Sequence, residues 1–311
     1  MTPNKSQTAP QNQSKKPRRI RIIITAAALA PLAIVAAILA YNNISLTTDK
    51  TFEKKLNTAL ENALKWTEAN RQNILNKKNI ALVKLLNECN QAKNNPLFSQ
   101  ILADYLKTPA RPKCWKRLLD PDYHVDRVEL NITIKEEYLD NKWVLYALAP
   151  DKADADPQKL GLFDPSRWKR RKLTHQLDAL LLLRKTRPDP NLDPLIDRLC
   201  RRITKQLITD FAVIDLYIQK VAFVLRAKHP EKIRKRWLER IIQNQLPDGG
   251  WNDRWFCFTS QTRKPLFDLK NPPSNQHATI QAMTALYLVR HKYPQNFRLD
   301  TKTLTQTNQP D

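Results

Sequence analysis

Two histidines, three aspartates and two tryptophans carry the groups in this chain that could do chemistry together. His175 and His277 each open an apolar stretch, nine residues before Arg184 and thirteen before Arg290. The offset of four is about one helical turn, so on parallel helices both imidazoles point roughly the same way at one end of the assembly. Asp178 follows His175 by about one turn, and Asp248, Trp251, Asp253 and Trp255 lie in the loop entering that end. Imidazoles and carboxylates could exchange protons with a substrate there, with His175, Asp178, Asp253 and His277 as the acid and base groups. Trp251 and Trp255 could form a platform for sugars or apolar chains. The rival reading is helix capping plus aromatic packing of a long loop.

A second set is cationic. Basic runs occupy 167–172, then Arg198, Arg201, Arg202 and Lys205, then Lys232, Arg234, Lys235, Arg236 and Arg240. All fall on or beside amphipathic stretches. Such runs are either a solvated face or, in a membrane-tethered body, a docking face for anionic lipid headgroups or an anionic envelope polymer. On the docking reading Arg234, Lys235 and Arg236 bind the ligand. No nucleic-acid reader motif is present, so nucleic acid is not an expected partner.

These groups need elements to position them, and the clearest is Trp237 to Val289, centred on Gln245-Leu-Pro-Asp-Gly-Gly-Trp251. Of only three glycines in the chain, two are Gly249 and Gly250, which marks a backbone needing positive φ or close approach. A basic amphipathic helix leads in, and 277–289 leads out as a helix apolar almost all round. In these residues the chain resembles the terpenoid cyclase and protein prenyltransferase superfamily, whose α/α-toroids carry a glutamine and an Asp-Gly-x-Trp turn between outer and inner helices. The resemblance covers about 60 residues and implies an α/α-toroid. Prenyltransferases of this fold bind zinc through an Asp, a nearby Cys and a His opening an inner helix. Asp253, Cys257 and His277 stand in that order here, with a longer Asp–Cys spacing. No Asp-x-Asp-Asp run of the terpene cyclases occurs, so cyclase chemistry is not carried over, and no resident metal or cofactor is expected.

The repeat extends the pattern. Arg184 and Arg226 are 42 residues apart, as are Pro188 and Pro230, and Leu199 and Ile241. The endings Leu-Leu-Leu-Arg184, Phe-Val-Leu-Arg226 and Tyr-Leu-Val-Arg290 recur. Stretches 192–207 and 232–245 are amphipathic and basic; 175–184, 211–225 and 277–289 are apolar all round, as buried helices are. Their alternation predicts stacked helix pairs, an α/α-toroid or an open α-solenoid. Nine or ten helices are expected, short of the twelve in a closed six-pair ring.

In chain order, 1–21 reads as a disordered basic cytoplasmic segment. Ile22 to Ala40 is a 19-residue apolar run, at ~1.5 Å per residue close to the ~30 Å hydrocarbon core. It predicts a single transmembrane anchor over 22–41, with a cleaved signal peptide as the rival reading. Lys15, Lys16, Arg18, Arg19 and Arg21 precede it, so the N-terminus is cytoplasmic and the body extracytoplasmic, on the periplasmic side of the inner membrane. Region 50–120 reads as helices. In 121–160, alternation of Val128, Leu130, Ile132 and Ile134 favours a β-hairpin with Trp143–Ala149, then an exposed linker. Repeats fill 161–296, and 297–311 is a disordered tail. Cys89 and Cys114 flank one helix and could pair in an oxidising compartment; Cys200 reads as a buried thiol. Net charge is +23, and residues 1–50 hold only seven Lys/Arg against one Asp, so most of the excess belongs to the body.

The function these features favour is a membrane-anchored extracytoplasmic binding or assembly module for an anionic or polymeric envelope ligand. The alternative is a hydrolase or lyase acting on a glycan or lipid-linked substrate. Fold analogy does not choose between them.

Overall fold

Four helices that are apolar on nearly every side form the centre of this all-α protein: α4 (Ile80–Ala92), α8 (Lys172–Thr186), α10 (Asp215–Arg226) and α12 (Gln276–His291). The structure is a computed structural model. It describes the backbone of residues 16–77, 79–107, 112–164, 172–255, 258–259 and 273–300, with side chains described from residue 30 and omitted over 254–272. The chain divides into two compact units, Met1–Tyr41 and Asn42–Asp311.

In the first unit and just beyond it runs α1 (Lys16–Asn43), which contains Pro31. Among the described residues no helix is long and apolar enough to cross a membrane. The predicted span over 22–41 falls partly outside the described side chains.

In the second unit α12 is buried from Ala278 to Arg290. It packs between α10, α4 and α2 (Asp49–Ala69). Helix α10 also touches α8 and α9 (Leu192–Thr209), and α8 rests on α7 (Leu139–Leu148). Outer helices show the opposite pattern: α9 buries Leu192, Ile196, Leu199, Ile203 and Leu207 at helical spacing and leaves Arg198, Arg201 and Lys205 exposed. The short α3 (Arg71–Asn76), α5 (Pro96–Lys107) and α11 (Lys235–Gln243) complete the outer packing. Caps start several helices, with Asn79 and Asn275 accepting from backbone amides of the first turns of α4 and α12.

The Gln245–Trp251 turn is fixed on α2. Gln245 Nε2 donates to the Ala59 carbonyl at 2.8 Å and to the Gly249 carbonyl at 2.9 Å, and Leu246 N reaches Gly250 O at 2.8 Å. Gly249 has φ of 87°, and a Cβ there would strike the Asn62 carbonyl oxygen. A Cβ on Gly250 would meet Ser274 Cβ at 2.5 Å. Both glycines are therefore set by geometry rather than by flexibility.

Three expectations are corrected. The β-hairpin is absent: 126–149 forms α6 (Arg127–Glu136) and α7. Asp126 Oδ1 accepts from Glu129 N at 2.8 Å, an N-cap, and Leu130, Thr133 and Ile134 share the buried face. Val128 and Ile132, one turn apart, are the exposed remainder of the apparent alternation. The β pairing among the described residues is a two-residue antiparallel ladder of β1 (Arg254–Trp255) with β2 (Phe258–Thr259). Cys89 and Cys114 are not bridged; each is a separate buried thiol, beside Thr284 and Thr133 respectively.

The third correction concerns the basic run on α11: of Arg234, Lys235 and Arg236, two are turned to internal partners rather than outward. Arg236 is 1% exposed and its Nη1 donates to Glu239 at 3.2 Å. Lys235 Nζ donates to Asp49 at 2.7 Å and to the Thr47 carbonyl at 2.9 Å. Arg240 donates to the carbonyls of Asp210 and Phe211, closing the end of α9. These cations are consumed by internal partners; of the trio only Arg234 is exposed, its guanidinium over Trp237.

Candidate functional site

The inner helices α4, α8, α10 and α12 bring their C-terminal ends to one pole, because residues from the last turns of all four line a single cavity of about 280 Å³. Cations at these ends complement the negative end of each helix macrodipole. Here they are numerous: Arg184 and Lys185 from α8, Arg226 and Lys228 at the end of α10, and Lys292 after α12, with Lys84 from the first half of α4 also in the lining.

Within the wall, two cations and two carboxylates neutralise one another. Lys84 Nζ donates to Asp178 Oδ1 at 2.8 Å, and Arg226 Nη2 donates to the same oxygen at 2.8 Å. Arg226 also grips Glu88 with two bonds, Nε to Oε2 at 2.5 Å and Nη2 to Oε1 at 2.8 Å. Burial alone would raise both acids, but the adjacent Lys84 and Arg226 hold Asp178 and Glu88 below the usual carboxylate range. With both carboxylates ionised, the quartet is a set of ion pairs turned largely away from solvent. Arg226, its side chain 4% exposed, keeps one donor over: its Nη1 has no hydrogen-bond partner among the described residues. An unbonded guanidinium nitrogen in a buried wall costs free energy unless something accepts from it.

Around the mouth the charge is unbalanced. Arg184 pairs with Asp193 at 2.7 Å. Lys185, Lys228 and Lys292 are exposed, and none of the ion pairs among the described residues includes them. Burial first, and then the like charges of Lys228 and Lys185, push the Lys292 ammonium below its ordinary range. Dipole compensation accounts for cations at helix ends. It does not account for Lys228 and Lys185 lowering Lys292 beside a guanidinium nitrogen that has no described partner.

The opposite pole holds the predicted histidine end. His277 opens α12 and Asp215 opens α10, and His277 Nδ1 lies 2.7 Å from Asp215 Oδ1. Its Nε2 lies 3.0 Å from the Gln281 amide nitrogen. Burial opposes the imidazolium, but the Asp215 hydrogen bond and the charges of Asp215 and Asp253 prevail and raise the His277 pKa. A cavity of about 350 Å³ adjoins it, lined by Lys77, Asn79, Leu82, Asn275, Gln276 and His277. Both asparagines there are committed as helix caps.

The predicted cluster is therefore split. Asp253 acts on His277 through space, and Asp178 belongs to the cationic pole, bound by Lys84 and Arg226 rather than facing His175. His175 is half-buried on α8, and no described hydrogen bond joins it to His277 or Asp178. Trp251 is 1% exposed and its Nε1 donates to the Ile241 carbonyl at 2.7 Å, so it is a core ring and not a platform. The Trp255 side chain and Cys257 lie outside the described residues; among those described, no group of three acidic, Cys or His residues could hold a metal ion.

Lys84, Glu88, Lys228 and Lys292 were missed by sequence reasoning. A signal existed: Lys84 and Glu88 are charges one turn apart inside a largely apolar helix, and arginines recur at the ends of the apolar stretches. No family model matches this chain, and neither does any curated protein or solved structure.

Proposed function

We propose that this chain is a binding module, carried on an N-terminal membrane anchor over 22–41 with its body outside the cytoplasm, that holds an anionic group in the cavity at the cationic pole. The observation that carries the reading is the buried Arg226 guanidinium with Nη1 unbonded, set beneath Lys185, Lys228 and Lys292. Guanidinium and ammonium donors converging on a small cavity recognise phosphate or carboxylate oxygens. The volume suits one such group with a short stem, so a polymer would present a terminal or pendant group and cross the rim. Parallel inner helices alternating with amphipathic outer ones, together with the Gln245–Trp251 turn, support an α/α-toroid arc as the scaffold.

The test is calorimetric titration of the purified chain with inorganic phosphate and with succinate at low salt. Binding at millimolar or better is expected, weakened tenfold or more in the Lys185→Gln, Lys292→Gln double variant and by added salt. No heat and no thermal stabilisation with either anion at low salt would exclude the reading.

One observation favours a second reading. The His277–Asp215 pair beside its own cavity has the geometry of a base and its orienting carboxylate. In that reading the chain is a hydrolase or lyase on a glycan or lipid-linked substrate. His277→Gln would then abolish turnover while leaving phosphate binding intact.

A further inference from the structure

The stretch that leaves α1 is amphipathic in the wrong sense for water. Over Asn43–Thr47 side chains alternate as they do in an extended strand, but the polar ones turn inward. Asn43 Nδ2 donates to the Ile208 carbonyl at 3.0 Å and its Oδ1 accepts from Trp237 Nε1 at 3.1 Å. Ser45 and Thr47 hydroxyls both donate to Glu239 Oε1, at 2.5 and 2.6 Å. The alternate residues, Ile44 and Leu46, face outward with 59% and 70% of their surface exposed. Through Asn43 this stretch is joined to the end of α9, and three residues beyond Ile208 stands Phe211, 61% exposed. Arg240 of α11 holds the Phe211 carbonyl at 2.7 Å, and Glu239 of the same helix holds Ser45 and Thr47. One helix thus fixes both pieces of an outward apolar patch. Leading away from it on α9 are the exposed Arg198, Arg201 and Lys205.

We propose that Ile44, Leu46 and Phe211 form the face with which the body rests in the interfacial layer of the bilayer, the basic stripe of α9 lying against anionic headgroups. The proposal rests on the anchor reading, since the apolar run ends at Ala40 and four to six residues reach at most ~20 Å. Apolar side chains and aromatic rings beside a membrane span are stable at the headgroup level, where water is depleted. Basic residues near that surface are attracted to anionic lipid. Polar-in, apolar-out alternation is what such a boundary selects. In water it would leave three large apolar side chains exposed while Ser45 and Thr47 commit their hydroxyls inside.

The experiment uses the full chain reconstituted in vesicles containing anionic lipid. A photoreactive benzoylphenylalanine is placed at Leu46, at Phe211, or at Tyr138, which is 85% exposed on the turn before α7. A carbonate wash of the same vesicles reports the anchor. The expected result is wash-resistant protein with lipid adducts at 46 and 211 several-fold above those at 138. Wash-resistant protein whose adducts at 46 and 211 equal those at 138 would overturn the resting face and leave the anchor standing. Protein released by the wash would overturn the anchor reading and the face with it.

Discussion

His277 and His291 sit at the two ends of α12 and titrate in opposite senses. Burial resists charging His277, but Asp215 and Asp253 raise its pKa above the ordinary 6.5. Its contribution to stability is complete below about 6.5 and is lost as pH rises through the folded value. His291 packs on the Tyr287 ring at 4.3 Å, and burial, with Lys93 and Arg290 nearby, lowers it to about 4. Between about 6.5 and 4 the unfolded chain takes up a proton there that the folded chain refuses, so stability falls as pH falls. The two residues therefore bracket an optimum near neutrality. Chemical denaturation across pH 4–9 should show His277→Gln flattening the alkaline limb and His291→Asn flattening the acid limb. A steeper alkaline limb in His277→Gln would mean that the Asp215 contact does not hold a charged imidazole.

At the scale of elements the turn on α2 gives the sharpest expectation. Trp251 is fully packed, its amide accepted by Thr279 Oγ1 at 2.8 Å and its indole by Ile241 O. Trp251→Ala should cost roughly 3–5 kcal/mol. Gly249→Ala meets both positive φ and the Asn62 carbonyl, so its cost should exceed the ~1 kcal/mol of an ordinary Gly→Ala change. Equilibrium urea unfolding measures both; a harmless Trp251→Ala would detach the turn from the core. This turn was legible because glycine is so scarce that Gly249 and Gly250 could only mark constrained backbone. Three of the four inner helices, α8, α10 and α12, were legible because apolar residues on every side have no other home. The α6–α7 hairpin of helices was not: Val128, Leu130, Ile132 and Ile134 satisfy a strand period, while the Asp126 cap that decides for helix adds only about 1 kcal/mol. Nor could Arg236 be read as buried, since the segment holding Glu239 beside it, Ser45–Thr47, lies nearly 200 residues earlier. The sites suffered most from this. Asp178 looked like a partner for His175 one turn away, yet its real partners, Lys84 and Arg226, come from two other helices.

Across the whole molecule the proposed anion site at the cationic pole sets stability against capture. Helix α10 ends in a Schellman arrangement, His229 N bonding Val224 O at 3.2 Å and Lys228 N bonding Leu225 O at 3.0 Å. The residue at the left-handed position is Lys228, with φ of 67°. Glycine is the residue that usually sits there, because a Cβ at positive φ is strained by about 1–2 kcal/mol. Lysine at this position also adds its charge beside Lys292, whose ammonium is lowered by burial and then by Lys228 and Lys185. Strain and repulsion at one residue of a cavity rim persist where the residue serves a ligand. Lys228→Gly removes both, and should stabilise the unliganded protein by about 1 kcal/mol, raising Tm by about 2–4 °C. The same variant should show a smaller Tm rise on adding phosphate than the parent, because part of the parent's gain is relief of that repulsion. Thermal melts of both proteins, each with and without phosphate, measure the two effects together. A stabilised Lys228→Gly that captures phosphate as well as the parent would show that the strained lysine is only an unusual helix cap. The binding role would then fall to Arg226, Lys185 and Lys292 alone.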